Sequence, residues 1–319
     1  MSDSTARVAR RKDMLGLRGV SREEITQILD TAAQIRRVNR RRVKKVPTLR
    51  GRTVVSAFFE NSTRTRMSFD LAAKRLSADV LGFSAGSSST KKGETLMDTA
   101  RNIDAWRPDC LIIRHPSAGA PHMLAKAFDW SVINAGDGIH EHPTQALLDM
   151  LTMRDHLGTL EGRTVAIVGD VLHSRVARSN IFGLTTMGAK VVVAGPGTMC
   201  PPTLEALGVE VRHRIDEVLE DAHVVMMLRV QRERLGKAVM TEVAEYARLY
   251  GLDLDRLQRA RPDVLVMHPG PINRGVEMTP DVADGERSVV LEQVSNGLAV
   301  RMALLYLLLG EDGGDGDRG

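Results

Sequence analysis

Cysteine is scarce in this chain of 319 residues: Cys110 and Cys200 lie far apart and outside any CxxC pattern. This spacing argues against a disulfide framework or a zinc knuckle and is typical of a protein from a reducing compartment. The N-terminus lacks the apolar run of a signal peptide. The longest apolar stretch, residues 302–309, is far too short to span a bilayer. We therefore expect a cytoplasmic protein without a membrane partner.

Aromatic residues make up only 3% of the chain, so the core must be built mainly from Val, Leu, Ile, Ala and Met. Charge is nearly balanced, with 44 Lys and Arg against 40 Asp and Glu, which gives a formal net charge of +4. Two basic clusters, residues 7–12 and 36–45, carry much of this excess. Because no aromatic residues are interleaved with them for base stacking, we interpret both as solvated helix faces and expect no nucleic-acid partner.

Short apolar runs alternate with helical patterns, which predicts an α/β fold with two domains, each a parallel sheet flanked by helices. We place a first domain at residues 1–149 and a second at 150–288, with a last helix, 289–319, packing back on the first. The predicted strands cover 53–59, 109–113, 131–134, 164–168, 190–194, 209–212, 223–228 and 263–267, and the predicted helices cover 22–37, 64–76, 143–157, 175–187, 241–250 and 289–309.

Chemically versatile side chains follow the predicted strands in both halves of the chain. Arg114 and the segment leading to His142 follow strands of the first half, and Arg175 and Arg229 follow strands of the second. Ligands in open α/β sheets bind at the carboxyl ends of strands. Two such sheets therefore predict an active site in a cleft between two domains.

The segment Ser62-Thr63-Arg64-Thr65 lies between a predicted strand and a predicted helix. The first turn of a helix has free backbone N–H groups and a partly positive end, which bind phosphate readily. Two hydroxyl groups and a guanidinium add donors at the same turn. We predict a phosphate site here, against the simpler alternative of a plain N-cap. The following helix is predicted to bury Met67, Phe69, Leu71 and Leu76 on one side.

Two short patterns resemble catalytic motifs and are set aside. Residues 82–86 match GxSxG, but a nucleophile elbow needs a helix directly after the serine, and a Ser/Gly-rich loop follows here. A serine hydrolase using Ser84 is thus only a rival hypothesis. His140-Glu141-His142 is not HExxH, and no cysteine or further histidine cluster completes it in the sequence, so we expect no metal.

Six motifs follow one another along the chain: FENSTRTR at 59–66, KKGET at 91–95, RHP at 114–116, HPTQ at 142–145, RVQ at 229–231 and HPGP at 268–271. With them the chain resembles the catalytic chains of aspartate carbamoyltransferases over nearly its full length. Ornithine carbamoyltransferases, the nearest alternative, typically carry HPCQ and an HCLP loop, whereas this chain has Thr144 in the first motif and lacks cysteine in the second. An ornithine site must also accept a cationic side chain, which a pair of arginines would repel.

The resemblance implies roles for the residues that bind carbamoyl phosphate. The phosphate cradle would consist of Ser62, Thr63, Arg64 and Thr65. Thr65, Arg114 and His142 would donate to the carbonyl oxygen as it gains negative charge, and Arg114 would also bridge to the phosphate. Gln145 would hold the carbamoyl NH2 group, and the backbone at Gly270 and Pro271 would accept from the amine and carbamoyl groups.

The resemblance also implies how aspartate and neighbouring subunits take part. Arg175, Arg229 and Gln231 would hold the aspartate carboxylates. Ser88 and Lys92 resemble the loop that reaches into a neighbouring subunit's site, with Lys92 also binding aspartate, which implies a homotrimer with shared active sites. Whether regulatory chains or a dihydroorotase partner join the trimer stays open.

The implied reaction joins carbamoyl phosphate and L-aspartate to give N-carbamoyl-L-aspartate and phosphate, an early committed step of pyrimidine (UMP) synthesis. The neutral α-amine would attack the carbamoyl carbon, and the departing phosphate could take the amine proton. Acceleration would then come mainly from positioning and fixed donors. Neither a metal nor an organic cofactor is implied.

Overall fold

A computed structural model of the chain describes residues 11–84, 94–230 and 243–310. The chain divides into two compact units. In the described ranges, unit 1 contains residues 11–16, 21–144 and 297–310, and unit 2 contains residues 17–20 and 145–296. No helix in these ranges combines the length and the apolar character that crossing a membrane requires.

Unit 1 is built on a sheet of four parallel strands in the order β2-β1-β3-β4. Val55, Leu111 and Val132 from three of these strands share a core with Ile103 and Leu124 from two helices. Helix residues thus cover apolar strand residues, as a parallel sheet requires. The strands are β1 (Thr53–Phe58), β2 (Asp79–Ser84), β3 (Cys110–His115) and β4 (Ser131–Asp137), and the helices are α1 (Arg22–Asn39), α2 (Thr63–Arg75), α3 (Leu96–Asp104) and α4 (Ala120–Ala127).

Unit 2 contains five parallel strands in the order β7-β6-β5-β8-β9, with β5 at the centre. The strands are β5 (Thr164–Val168), β6 (Lys190–Ala194), β7 (Glu210–Arg212), β8 (Val224–Met227) and β9 (Leu265–Met267). Between or beside them lie α5 (Pro143–Leu157), α6 (Arg175–Thr186), a 3-10 helix (Pro202–Leu207), α7 (Asp216–Leu219), α8 (Val243–Tyr250), α9 (Leu254–Arg259), α10 (Pro280–Ala283) and α11 (Val290–Leu309).

Two helices cross the boundary between the units along the chain. Helix α5 begins at Pro143 in unit 1 and continues in unit 2, and α11 passes from unit 2 into unit 1 at residue 297. Within unit 1, Arg301 of α11 donates through Nη1 to the hydroxyl of Ser68 at 2.7 Å, and its guanidinium lies 5.0 Å from the ring centre of Phe69. The end of α11 therefore packs on α2.

The predicted α/β class with two parallel sheets is confirmed, and some details were wrong. In α2, Phe69 and Leu76 are buried, but Met67 is 65% exposed and Leu71 is 41% exposed, so the buried side is narrower than predicted. The sequence did not predict β2, α3 and α4, nor the 3-10 helix, α7, α9 and α10 of unit 2. β2 is an edge strand that pairs only with β1 among the described residues, and its glycine, Gly82, weakens the strand pattern.

Candidate active site

Helix α2 begins a few residues after the carboxyl end of β1 and has an open N-terminus. The side chain of its N-cap, Ser62, makes no capping hydrogen bond, and its first turn contains no acidic residue. Thr63 and Arg64 are exposed, and Ser62 and Thr65 are half-buried. The backbone N–H groups of such a turn have no partners within the helix. The donors of this segment are thus arranged to receive an anion, while their individual roles stay a prediction.

The other helix starts of unit 1 that carry a hydroxyl N-cap are closed. In α1, the Ser21 hydroxyl accepts from the backbone N–H of Glu24 at 3.2 Å, and Oε2 of Glu24 accepts from the N–H of Ser21 at 2.9 Å. In α3, Thr95 accepts from the N–H of Asp98 at 3.2 Å. Among the described hydroxyl N-caps of unit 1, Ser62 therefore differs from Ser21 and Thr95 in making no capping hydrogen bond.

Arg114, at the end of β3, is held by two oxygen atoms. Its Nη1 donates to the carbonyl of Ala135 at 3.3 Å, and its Nε lies 3.4 Å from Oε2 of Glu60. The strand register shifts here, because β4 carries one extra residue between the positions that pair with residues 113 and 115. Gly136 permits this bulge with a φ of 116°. The bulge turns a carbonyl toward the guanidinium of Arg114, as bulges near active sites often do.

His142 is buried and directly precedes α5. The turn that leads to it closes on the buried carboxylate of Asp137, whose Oδ1 accepts from Nδ2 of Asn134 at 2.8 Å and from the N–H of Glu141 at 3.1 Å. Ser62–Thr65, Arg114 and His142 thus follow or end β1, β3 and β4, three neighbouring strands of one sheet. Unit 1 therefore gathers these candidates at the carboxyl edge of its sheet.

Gln145 belongs to unit 2, where a buried carboxylate holds it. Its Nε2 donates to Oδ1 of Asp149 at 3.0 Å, and Nε2 of Gln293 donates to the same oxygen at 2.8 Å. Gln293 in turn accepts from the N–H of His268 at 3.0 Å. Asp149 and Gln293 therefore connect Gln145 to the segment that contains Gly270.

Gly270 and Pro271 follow β9. The N–H of Gly270 donates to Nδ1 of His268 at 2.8 Å, and the peptide bond between Gly270 and Pro271 is cis. Gly270 has a φ of 65°, in the left-handed region that glycine adopts without strain.

Arg175 and Arg229 follow β5 and β8, which are neighbours in the sheet of unit 2. Arg175 is the first residue of α6 and only 5% exposed, and Arg229 is half-buried. Two guanidinium groups at the carboxyl edge of one sheet suit a ligand with more than one carboxylate.

Glu277 is a fully buried carboxylate that joins two candidate binding segments of unit 2. Its Oε1 accepts from the N–H of Val230 at 2.8 Å, next to Arg229, and its Oε2 accepts from the N–H of Asn273 at 2.7 Å, two residues beyond Pro271. Nε2 of His268 lies 3.9 Å from the same carboxylate. Burial raises the pKa of Glu277, and the hydrogen bonds from the two backbone N–H groups oppose that shift.

Some predicted residues lie outside the described ranges, and some described residues were missed. Ser88, Lys92 and Gln231 fall in the gaps at 85–93 and 231–242. The sequence analysis did not single out Asp149, Glu277 or Gln293. Asp149 carried one usable signal, since it interrupts the apolar run 146–151, and a buried acid inside a helix needs partners.

Family models match both halves of the chain. The carbamoyl-phosphate-binding domain of aspartate/ornithine carbamoyltransferases matches residues 12–155, and their aspartate/ornithine-binding domain matches residues 161–308. The aspartate carbamoyltransferase catalytic subunit of Geobacter sulfurreducens is 60% identical over 300 residues, which cover 94% of this chain and 96% of the relative. That of Syntrophotalea carbinolica is 58% identical over 299 residues, with coverage of 94% and 96%.

Solved structures show the same fold. Aspartate transcarbamoylase from Trypanosoma cruzi in complex with carbamoyl aspartate and phosphate has a TM-score of 0.85 at 31% identity, covering 94% of this chain and 97% of that one. Ornithine carbamoyltransferase from Pyrococcus furiosus has a TM-score of 0.84 at 31% identity, covering 95% and 99%. These matches define the class, an α/β carbamoyltransferase with two domains. The chain belongs to the aspartate/ornithine carbamoyltransferase family.

Proposed function

We propose that the chain is an aspartate carbamoyltransferase that transfers the carbamoyl group of carbamoyl phosphate to the α-amino group of L-aspartate. The observation that carries the donor assignment is the open start of α2 on the same sheet edge as Arg114. A helix start without its own cap or acidic residue suits a phosphate group. Unit 1 thus binds the donor, and unit 2 binds the acceptor.

The choice of aspartate as acceptor rests on chemistry and on relatives. The fold alone does not decide, because an ornithine enzyme and an aspartate enzyme match the chain equally well at TM-scores of 0.84. The relatives at 55–60% identity are named aspartate carbamoyltransferase catalytic subunits. Arg175 and Arg229 at one sheet edge favour a dicarboxylate and disfavour a cationic amino acid.

The reaction needs no covalent enzyme intermediate. The lone pair of the neutral amine forms a bond to the carbamoyl carbon, and the bond from that carbon to the phosphate oxygen then breaks. The departing phosphate takes the amine proton, so that charge and atoms balance. Thr65, Arg114 and His142 donate to the carbonyl oxygen as negative charge develops there, while Ser62–Thr65 hold the phosphate.

Gln145 and the 270–271 segment orient the carbamoyl group. Gln145 is already oriented by Asp149, which leaves its amide oxygen to accept from the carbamoyl NH2 group. Gly270 and Pro271 each present a backbone carbonyl to amine hydrogens. Positioning of two reactants in this way can supply several kcal/mol of the barrier, on the order of 7–11 kcal/mol at most.

We also propose that the enzyme works as a homotrimer, in the cytoplasm, in pyrimidine synthesis. Ser88 and Lys92 of one subunit complete the site of its neighbour, with Gln231 as a further aspartate ligand. The two cysteines are free and buried, which suits a reducing compartment. Mixing inactive Lys92→Ala chains with inactive Arg64→Ala chains should restore part of the activity, and hybrid trimers without any activity would refute subunit sharing.

The function is tested by assaying the purified chain for ureido product with carbamoyl phosphate and either L-aspartate or L-ornithine. We expect product with aspartate alone. Product with ornithine alone would refute the assignment of Arg175 and Arg229 while leaving the donor site intact. A further arm uses a fluorophosphonate probe, and labelling of Ser84 would revive the hydrolase hypothesis.

A further inference from the structure

His122, Asp137 and His140 form a cluster in unit 1 that the proposed reaction does not use. Each side chain offers one ligand atom, and the three atoms lie within 4.8 Å of one another. In the sequence, no cysteine or further histidine cluster stands near His140 to complete a metal site. The structure brings His122 to this place from α4, so that two imidazoles and one carboxylate converge.

The geometry of the Asp137–His140 pair suits a metal ion as well as a proton. Nδ1 of His140 lies 3.0 Å from Oδ2 of Asp137. Two nitrogen or oxygen ligands bound tetrahedrally at ordinary Zn²⁺ distances are separated by about 3.3 Å, so the pair needs to open by only about 0.3 Å. A divalent ion can therefore replace the proton shared by this pair without moving the backbone. The ring centre of His122 lies 5.4 Å from that of His140, so a small side-chain adjustment brings in the third ligand.

A preformed set of hydrogen bonds fixes the carboxylate of Asp137. Its Oδ1 accepts from Asn134 and from the backbone of Glu141, and its Oδ2 accepts from the N–H of Gly119 at 2.7 Å. Asp137 has no exposed surface. Outer hydrogen bonds of this kind orient the ligands in metal sites and strengthen them. The site is therefore held rigid on its carboxylate side and accessible on its histidine side.

His122 supplies the second observation. Its Nδ1 is buried and has no hydrogen-bond partner among the described residues. The carboxylate of Asp13 lies close enough to His122 to interact electrostatically, which favours a cation. Lys12, the neighbouring positive charge, directs its Nζ to the carbonyl groups of Ala125 and Phe128, at 3.2 and 2.6 Å. Its charge thus lies at the far end of α4 from His122.

We propose that His122, Asp137 and His140 bind a divalent transition-metal ion such as Zn²⁺. Two histidines and one carboxylate are a common ligand set for such ions and leave coordination positions for water. The bound ion connects the first turns of α4 to the turn between β4 and α5. It therefore braces the segment that precedes His142 and raises the stability of unit 1.

Two other histidine–carboxylate pairs serve as internal comparisons. His173 lies 2.8 Å from the buried carboxylate of Asp170, with the same spacing of three residues as the proposed pair. His156 lies 2.8 Å from the more exposed Glu292. Neither pair gains a third ligand within the part of the chain that the structure describes. If a histidine–carboxylate pair alone sufficed for binding, these pairs would bind the ion equally well.

The test is a calorimetric titration of the full chain, freed of metal with a chelator, with Zn²⁺ alone. We expect one tight ion per chain, weakened at least about tenfold by His122→Ala and separately by His140→Ala. The matched controls His173→Ala and His156→Ala should keep it. Zn²⁺ should also raise the Tm of the wild-type chain, because a ligand that binds only the folded state stabilises it, and this rise should vanish in both cluster variants.

Three outcomes would overturn the proposal, the last two of which are variant results. One is the absence of a tight ion in the wild-type chain. The second is a tight ion that survives His122→Ala and His140→Ala, and the third is a tight ion that is lost equally in the His173→Ala control. Circular dichroism and Tm without metal should match between variants and wild type, since both histidines are partly exposed. The readouts do not depend on catalysis, so failure of the proposed reaction would leave this test unaffected.

Discussion

The two units present their candidate binding residues in different ways. In unit 1 the proposed phosphate donors are consecutive residues, Ser62–Thr65, and the side chain of the N-cap Ser62 makes no capping hydrogen bond. In unit 2 the segments beside Arg229 and Pro271 are far apart in sequence, and the buried carboxylate of Glu277 holds both. An anion site can thus arise from local helix geometry, whereas the second site depends on tertiary hydrogen bonds.

This difference has an energetic basis. A helix start provides its positive end through the backbone, so nearby side chains only add donors. A pair of segments from different loops must be ordered at an entropic cost before they can bind anything. Buried hydrogen bonds to a charged group offset part of that cost, at about 1.5–3 kcal/mol each. Glu277 makes such bonds to the N–H groups of Val230 and Asn273.

The largest effect is expected at the proposed phosphate site of unit 1, residues Ser62–Thr65. Arg64→Ala should lower kcat/KM by about a hundredfold to a thousandfold, because it removes a charged donor from the phosphate and the developing charge. Steady-state assays with varied carbamoyl phosphate measure this loss. Arg66→Ala is the matched control two residues along the same helix, where Nε lies 3.8 Å from Asp70, and it should keep most of the activity. Equal losses in both variants would contradict the phosphate assignment of Arg64.

The next largest effect is expected from Glu277, which holds two segments of unit 2 together. Glu277→Gln keeps the shape of the side chain but replaces one of the two oxygens that accept from Val230 and Asn273 with an NH2 group, which cannot accept. We expect the KM for aspartate to rise about tenfold or more, with little change in the KM for carbamoyl phosphate. A purely structural role would instead lower the amount of active enzyme and leave both KM values unchanged. Separate titrations of the two substrates distinguish these outcomes.

A smaller effect compares two N-cap serines directly. Ser21→Ala removes a closed capping box and should lower the free energy of unfolding by about 1 kcal/mol without changing either KM. Ser62→Ala removes a side chain that makes no capping bond, so it should leave stability nearly unchanged and raise the KM for carbamoyl phosphate. Denaturant unfolding and kinetics on both variants check the contrast. A loss of stability in Ser62→Ala equal to that in Ser21→Ala would contradict the proposed difference between the two N-caps.

The smallest effect concerns how the stability contributed by the α1 capping box depends on pH. Hydrogen bonding to Arg11 lowers the pKa of Glu24 below its ordinary value of 4.5. A carboxyl group whose pKa is lower in the folded state stabilises the fold above the unfolded value and loses that contribution as pH falls through the folded value. Glu24→Gln should therefore flatten the decline in stability below about pH 4.5. A decline as steep as that of the wild-type chain would show that Glu24 does not contribute to it.

The sequence pointed to the local candidate site, Ser62–Thr65, more directly than to the tertiary contacts of unit 2. Ser62–Thr65 could be interpreted as a candidate phosphate site because the sequence signals for a strand, a loop and a helix follow one another within a few residues. Glu277, Asp149 and Gln293 could not, since nothing in a linear pattern says which distant N–H groups a carboxylate will meet. Arg175 and Arg229 were found only through their positions after strands and through the family resemblance.

The fold shows the same division between local and distant information. Strands with continuous apolar runs, such as β5 and β6, were located because both faces of a parallel sheet are buried. The edge strand β2 was missed because Leu81 is 43% exposed and Gly82 weakens the pattern. Met67 and Leu71 were wrongly placed in the core because a helical period defines a face but not its width. His122 joined its cluster only through tertiary structure.

The interrupted course of unit 1 along the chain determines when it can be completed during synthesis. The helix that bears Ser62–Thr65 at its start packs through Ser68 and Phe69 against Arg301. During synthesis all five strands of unit 2, which end at Met267, are made before Arg301. Domains generally fold as units as they are synthesised. Helix α2 should therefore gain its final packing only after the strands of unit 2 have been synthesised, although most of unit 1 precedes them in the sequence.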